Sequence, residues 1–288
     1  MTHSSRRTVA GTLNASTCSR LLVSVRSADE AVQAIAGGAD ILDIKEPDHG
    51  SLGMADVSVI RAIAEQLHRD GESIPLSVAL GELRDWIGRD DIPAIPAEVQ
   101  FAKLGLSELA DVPEWRAEWR RVRDLFDQQR AAPLTWVAVA YADESVARSP
   151  ALNDVLIAAG ADPSPTSRLS RSHHGEVVSM IDSSADCVGV LIDTYAKTGR
   201  TLIDCLSLPR LREVADRCHA AEMFLAVAGS LTIAAIQRLS SIDADIIAIR
   251  SAACRHGNRR QPIDPTLVAE VCQAMRRATN VTSGPSPF

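Results

Sequence analysis

The sequence predicts an α/β protein with one domain, a parallel (β/α)8 TIM barrel, and three observations support that fold class. First, short apolar runs are spread along the chain and are separated by amphipathic helical patterns. Second, a small residue, Ala-Asp and an apolar strand recur together in GGAD-ILDIK, SSAD-CVGVLID and IDAD-IIAIR. Third, 288 residues with 46% hydrophobic side chains suit the ~250 residues typical of this barrel. The alternative is an open doubly wound sheet, which we disfavour because no G-x-G-x-x-G follows the first strand.

The apolar runs are interpreted as strands that are buried on both faces. Continuous apolar strands between amphipathic helices are typical of a parallel sheet covered by helices. Eight such strands are predicted, at 21–25, 41–45, 75–80, 99–104, 134–140, 187–192, 223–228 and 245–249.

Helical patterns follow most of these strands, with apolar residues recurring on one face. They cover 28–36, 57–68, 114–129, 206–220, 232–239 and 265–278. The segment 161–174 breaks the rhythm between strands five and six, with Pro, Ser and Arg where a helix is expected, and is predicted to be a surface insertion. The polar ends, 1–19 and 280–288, are predicted to be disordered tails on either side of one catalytic domain, 20–279.

Lysine is rare in this chain, and its positions are informative. Of the 30 Lys and Arg side chains only three are lysines, and each lies at or just beyond the end of a predicted strand: Lys45, Lys103 and Lys197. Arginine cannot supply an amine that loses its proton and attacks a carbonyl. Because the active site of such a barrel lies at the C-terminal ends of its strands, we predict that all three lysines are catalytic. The alternative is a bias towards arginine that leaves three lysines by chance.

Two aspartates accompany the lysines. Asp43 and Lys45 are spaced i, i+2 and leave strand two on one face, and Asp193 and Lys197 repeat the pairing just past strand six. Crowded ammonium groups lower one another's pKa while a carboxylate opposes that shift, so the cluster can hold one neutral amine beside others that stay charged. The alternatives are an ion-pair network that ties the strand ends together and, for Asp193, a cap for the following turn.

Phosphate binding is predicted at the turns after strands seven and eight, where barrels of this kind offer backbone N–H groups to an anion. The candidates are Gly229, Ser230, Arg250 and Ser251. The loop after strand two, with Gly50, Ser51 and Gly53, is a candidate cradle for a second phosphate, and Ser51 joins the predicted set. His49 in that loop is either an acid or base or an exposed loop histidine.

Composition excludes several classes of function. The net charge of −7 and the lack of a basic run with interleaved aromatic residues argue against a nucleic-acid partner. No apolar segment is long enough for a signal peptide or a membrane span, so we expect a cytoplasmic protein. The six cysteines and the adjacent His173 and His174 lack metal-binding spacing, so reduced thiols and no metal or cofactor are expected. A homo-oligomer is compatible with the sequence.

Several segments resemble, in order, the motifs of a known family. They are LLVSVRSADEAVQAIAGGADILDIKEPDHGSLG, FAKLGL, VAVAYAD, LIDTYAKTGRTLIDCL, and AVAGSL followed by AIRSAAC. The family is (5-formylfuran-3-yl)methyl phosphate synthase, also called 4-(hydroxymethyl)-2-furancarboxaldehyde-phosphate synthase, of methanofuran biosynthesis. The resemblance covers about 21–271 and is most specific in DIKEP-x-x-G-S-L-G.

The resemblance implies a TIM-barrel lyase that condenses two molecules of glyceraldehyde 3-phosphate into the furan phosphate, with release of phosphate and water and without a metal or organic cofactor. The family's Schiff-base lysine falls on Lys45 and its proton-accepting lysine on Lys103. Its further active-site residues fall on Asp43, Asp193 and Lys197. The sequence departs from the expected pattern in two places, the long segment 161–174 and Ser251, where glycine is expected.

Two other functions are compatible with the same residues. One is a generic Schiff-base aldolase or phosphosugar isomerase on the same scaffold. The other is a non-catalytic barrel that binds a phosphorylated metabolite and regulates a partner. The three lysines argue against the second, because arginine would bind anions as well or better.

Overall fold

The computed structural model describes residues 19–161 and 187–282, and it confirms the predicted single-domain (β/α)8 barrel. All strand pairs are parallel, and β8 pairs with β1 to close the sheet. The strands of the described residues are β1 Arg20–Val25, β2 Ile41–Ile44, β3 Leu76–Glu82, β4 Phe101–Gly105, β5 Thr135–Tyr141, β6 Gly189–Asp193, β7 Phe224–Val227 and β8 Ile246–Ile249.

The helices lie outside the barrel, and every predicted helix is present. In the described residues they are α1 Ala28–Ala36, α2 Val57–Asp70, α3 Trp115–Gln128, α4 Glu144–Ala147, α5 Leu152–Ala159, α6 Leu202–Cys205, α7 Leu208–Ala220, α8 Ile233–Leu239 and α9 Pro265–Thr282. None of them is long and apolar enough to cross a membrane.

Three of these helices, α4, α5 and α6, were not predicted from the sequence. A helix was expected between β5 and β6 but the Pro-rich segment 161–174 was taken to stand in its place, whereas α5 occupies that position and ends at Gly160, whose φ of 101° terminates it in the left-handed region. The rest of that segment, and the predicted tails apart from Ser19 and the end of α9, lie outside the described residues.

Side chains alternate between the two faces of each strand, so the buried apolar residues form two clusters. In β1, Leu22 belongs to the cluster inside the barrel, whereas Leu21 and Val23 belong to the cluster between the barrel and its helices. Successive side chains of a strand point to opposite faces, so both faces of this sheet are apolar and the strands read as continuous hydrophobic runs. The same alternation determines which residues can reach the barrel interior.

The connection between β3 and β4 contains no α-helix in the described structure. A 3-10 turn, Leu83–Asp85, is followed by an irregular segment in which Trp86 packs edge-on against Phe126 of α3 at 5.2 Å between ring centroids. The Trp86 indole N–H donates to the Leu80 carbonyl at 2.7 Å, and Arg130 donates to carbonyls of Ile95 and Val99, both at 2.8 Å. Aromatic packing and arginine bonds therefore hold this segment against the barrel.

Candidate active site

The barrel interior changes from apolar to polar towards the C-terminal ends of the strands. Ile41 and Phe101 are apolar, and the next residues of the same parity, Asp43, Lys45 and Lys103, are charged. All line one pocket together with Asp193, Lys197, Gly229, Ser230, Arg250 and Ser251. The structure thus brings every predicted site residue except Ser51 to the surface of a single pocket.

Lys103 of β4 and Asp43 of β2 form a buried ion pair across the intervening strand β3. The Lys103 Nζ lies 2.6 Å from Asp43 Oδ1, and it also donates to the Ser77 hydroxyl at 2.8 Å. The second carboxylate oxygen of Asp43 accepts a hydrogen bond from Ser24 at 3.2 Å. Asp43 and Lys103 are 1% and 3% exposed, so the pair is fixed by direct contacts with little solvent around it.

Asp193 is the centre of a second buried cluster. Its Oδ1 accepts hydrogen bonds from Lys197 Nζ at 2.9 Å and from the Thr194 N–H at 2.7 Å, and its Oδ2 accepts from the Ser51 hydroxyl at 2.8 Å. Burial would raise the pKa of Asp193, but the charges of Lys197 and Lys45 and the bonds from Lys197 and Ser51 outweigh it, so the pKa lies below its usual value. Ser51, predicted to bind phosphate, orients this carboxylate.

Lys45 differs from the other two lysines. Its side chain is buried, and within the described residues its ammonium has neither an ion pair nor a hydrogen bond. Burial lowers the pKa of Lys45 to about 8, against the attraction of Asp193 and Asp43 and with the help of the charges on Lys197 and Arg259. A neutral amine is therefore accessible near physiological pH, which is the condition for attack on a carbonyl.

The turn after β7 and the turn after β8 contribute backbone to the same pocket. Gly229 and Ser230 have φ values of 104° and 49°, and Ser251 opens a 3-10 turn after β8. A side chain at Gly229 would lie 2.9 Å from Thr194 Cγ2, so both the dihedral and the close approach require glycine there. In the described structure, no hydrogen bond is formed by the N–H groups of these three residues, so they are available as donors to a bound anion.

Arg250 lines the pocket, but its donors are already in use. Its guanidinium forms a bidentate ion pair with Glu30 of α1 at 2.7 and 3.1 Å and donates to the carbonyls of Ser24 at 2.9 Å and Arg259 at 2.8 Å. Both charged side chains are buried. These contacts tie β8 to β1, α1 and the following loop, which is a structural task different from the phosphate binding predicted for it.

Sequence reasoning missed Ser24, Ser77, Thr194 and Arg259. The two serines point into the barrel like Asp43, with which both are in register. The sequence contains this alternation, but the register between strands is needed to interpret it. Arg259 follows β8 in an irregular loop, where no periodic pattern marks it.

His49 is exposed, and its Nδ1 lies 3.1 Å from the Met54 carbonyl oxygen. In residues 19–161 and 187–282, no cluster of three or more His, Cys, Asp or Glu could hold a metal ion.

Comparison with known proteins gives a family match over most of the chain. The model of a family described as 4-HFC-P synthase matches residues 21–272. The (5-formylfuran-3-yl)methyl phosphate synthase of Methanococcus maripaludis is 30% identical over 259 residues, which are 89% of this chain and 99% of the relative. A protein of Methylorubrum extorquens named putative (5-formylfuran-3-yl)methyl phosphate synthase is also 30% identical, over 89% of this chain and 92% of its own length.

Solved structures agree on the architecture. The octameric ribulose-1,5-bisphosphate carboxylase/oxygenase of Pyrococcus horikoshii superimposes with a TM-score of 0.54 over 95% of this chain and 62% of that chain. Its sequence identity is 13%, so this likeness concerns the fold alone.

Proposed function

The chain belongs to the 4-HFC-P synthase family, and from this premise we propose that it is a lyase that makes (5-formylfuran-3-yl)methyl phosphate from two molecules of glyceraldehyde 3-phosphate through an imine at Lys45. One phosphate and two waters balance the atoms of this reaction. The product serves as the furan precursor of methanofuran or a related one-carbon carrier.

The observation that carries the proposal is the contrast between Lys45 and its neighbours. Lys103 and Lys197 each bond directly to a carboxylate, whereas Lys45 has no such partner among the described residues and its pKa is lowered to about 8. An imine-forming lysine must be neutral to attack, and burial near other cations is an established means of making it so. The other two lysines lie beside it, each bonded to a carboxylate, and suit proton transfer and anion stabilisation.

The carbon skeleton of the product dictates the bonds that must change. The triose that keeps its phosphate contributes its central carbon as the branched ring carbon, so that carbon must be an electrophilic ketone or imine. The other triose contributes its aldehyde as the formyl group, and its former phosphate-bearing carbon forms the new bond. Loss of its C2 proton with departure of phosphate from C3 creates an enol whose C3 is the nucleophile that this bond requires.

The residues divide these steps among them. Lys45 holds the phosphate-retaining triose as an imine at its central carbon, after proton transfer has moved its carbonyl from C1 to C2. Lys103, on β4 and bonded to Asp43, exchanges protons with the carbons next to that imine, for which general acid and base groups supply about 10² to 10⁴ in rate. Lys197, with Asp193, stabilises the leaving phosphate. The N–H groups of Gly229, Ser230 and Ser251 hold a phosphate at the turns after β7 and β8.

The experiment combines product analysis with trapping of the imine. Glyceraldehyde 3-phosphate is incubated with the protein, and the product mass and a new furan absorbance are recorded. Borohydride added during turnover should attach a triose to the peptide that contains Lys45, and Lys45→Arg should lose both the adduct and the furan. An open-chain sugar phosphate in place of the furan would indicate an aldolase or isomerase. An adduct on Lys103 or Lys197, with Lys45→Arg active, would refute the mechanism.

A further inference from the structure

Arg259 is a second arginine at the barrel mouth, and two contacts fix its position. Its carbonyl oxygen accepts a hydrogen bond from Arg250 Nε at 2.8 Å, so the buried Arg250–Glu30 pair holds its main chain. Its own guanidinium reaches across to the loop after β2, where it donates to the Gly50 carbonyl at 2.9 Å. Arg259 therefore bridges the loops after β8 and β2, directly above the pocket that contains Lys45.

The guanidinium of Arg259 is less satisfied than that of Arg250. Its Nε–H is buried and has no hydrogen-bond partner within the described structure. No carboxylate of the described residues forms an ion pair with it, although Asp193 and Asp48 attract it at longer range. A buried charged donor without a partner is unfavourable unless a ligand completes its bonds.

The surroundings of Arg259 indicate the charge of that ligand. It lines the same pocket as Gly229, Ser230 and Ser251, whose backbone N–H groups form no hydrogen bonds in the described structure. Cationic and N–H donors that converge on one space favour an anion with several acceptor oxygens. Arginine is suited to phosphate because its planar guanidinium can donate two parallel hydrogen bonds.

We propose that Arg259 is the side chain that binds a phosphate group of the substrate, opposite the N–H groups of Gly229, Ser230 and Ser251. Arg250, which the sequence suggested for this task, instead supports the loop that carries Arg259. The identity of the substrate as a triose phosphate rests on the proposed function, but the binding of a phosphate group by Arg259 can be measured separately.

The test compares trapping of two aldehydes that differ only in the phosphate. Borohydride adducts at Lys45 are measured as a function of concentration for glyceraldehyde 3-phosphate and for glyceraldehyde, with the parent protein and Arg259→Gln. We expect the half-saturating concentration of glyceraldehyde 3-phosphate to rise at least about tenfold in the variant, as loss of a charged hydrogen bond implies. The value for glyceraldehyde should not change. Arg260→Gln is the matched control, because Arg260 is an exposed neighbour that pairs with Asp48 at 2.6 Å.

Two results would overturn the proposal. If Arg259→Gln keeps the parent's preference for the phosphorylated aldehyde, Arg259 does not bind its phosphate. If the half-saturating concentrations of both aldehydes rise equally, Arg259 has only a structural role. Arg259→Lys, which keeps the positive charge, should retain part of the preference and guards against a folding defect in the glutamine variant.

A direct measurement separates this inference from the proposed function. Titration calorimetry with inorganic phosphate should give weaker binding to Arg259→Gln than to the parent and to Arg260→Gln. If the parent makes no furan but this difference is found, the proposed function fails and the phosphate site stands. If furan is made but the three proteins bind phosphate equally, the proposed function stands and the role of Arg259 is refuted.

Discussion

The three lysine ammonium groups lie in one pocket but differ in the carboxylates that contact them. Lys103 bonds to Asp43 and Lys197 bonds to Asp193, whereas Lys45 interacts with both aspartates only through longer-range electrostatic attraction. A direct ion pair stabilises the protonated amine, and burial without one stabilises the neutral amine. The same residue type can therefore serve as the proposed nucleophile at one position and as a direct partner of a carboxylate at the other two.

Removal of the Lys103–Asp43 pair as a unit should separate imine formation from turnover. In Lys103→Met/Asp43→Asn both charges are lost, so neither is left buried without a partner. We expect the double variant to be trapped by borohydride at Lys45 but to form furan about 10² to 10⁴ more slowly than the parent. The measurement is adduct mass and furan rate on one preparation. A furan rate near that of the parent would show that the base lies elsewhere, with Lys197, Asp193 or another group.

Arg250 should matter for stability more than for phosphate affinity. Both charged groups of the Arg250–Glu30 pair are buried, and loss of one partner leaves the other without compensation. We expect Arg250→Met to lower the free energy of unfolding by about 3–5 kcal/mol, measured by denaturant titration. Arg250→Met/Glu30→Gln should recover much of that loss. A fully stable single variant with weakened phosphate binding would restore the role that the sequence suggested.

At the scale of the elements, strand alternation explains how much of the site the sequence predicted. The spacing of Asp43 and Lys45 is enough to put both on one face of β2, and apolar runs locate the strand ends to within a few residues. The partners of these groups could not be found in this way. Ser77 reaches Lys103 because β3 pairs with β4, and Glu30 reaches Arg250 because β8 closes on β1. Such contacts depend on register and closure, which no local pattern encodes.

Close packing between β6 and β7 should make Gly189 sensitive to substitution. Gly189 is paired in register with Phe224, and a Cβ at this position would lie 2.4 Å from atoms of the Phe224 ring. We expect Gly189→Ala to lower the free energy of unfolding by about 1–3 kcal/mol, because the ring must leave its preferred position in a filled barrel. Thermal and denaturant unfolding would measure this.

The matched comparison for Gly189→Ala is Gly189→Ala/Phe224→Leu, in which a smaller side chain makes room for the new methyl group. If the clash is the cause, the double variant should lose less unfolding free energy than the sum of the losses measured for Gly189→Ala and Phe224→Leu alone. If the two losses simply add, contact between the new methyl group and the Phe224 ring is not the cause of the destabilisation.

At the scale of the whole molecule, the candidate active site lowers the stability of the barrel around it. Most interior positions of the strands are apolar, but the C-terminal layer holds the ion pairs Lys103–Asp43 and Lys197–Asp193 and the amine of Lys45, which has no ion-pair partner among the described residues. The burial that lowers the pKa of Lys45 also makes folding less favourable when its amine is protonated. Lys45, the proposed nucleophile, therefore reduces the stability of the folded state while its neutral amine makes the proposed chemistry accessible, as expected where function and stability compete.

Lys45→Met should accordingly be inactive but more stable than the parent. The native pKa of Lys45 is about 8 and the unperturbed value is 10.5, so below pH 8 the amine is protonated in both states and the charge disfavours folding. A difference of this size corresponds to about 3 kcal/mol. As pH rises from about 8 to 10.5, the native amine loses its proton first and the penalty disappears. The stabilisation by methionine should be full at pH 7 and lost near pH 10.5.

Lys197→Met should change the free energy of unfolding in the opposite direction to Lys45→Met. Lys197 bonds directly to Asp193, so its removal leaves a buried carboxylate with fewer partners and should destabilise the protein at pH 7. Denaturant titrations of the parent and both variants at pH 7 and pH 10.5 measure the two effects together. If Lys45→Met is less stable than the parent at pH 7, or its gain does not decline with rising pH, the amine is not held in the disfavoured charged state and the low pKa assigned to the nucleophile is wrong.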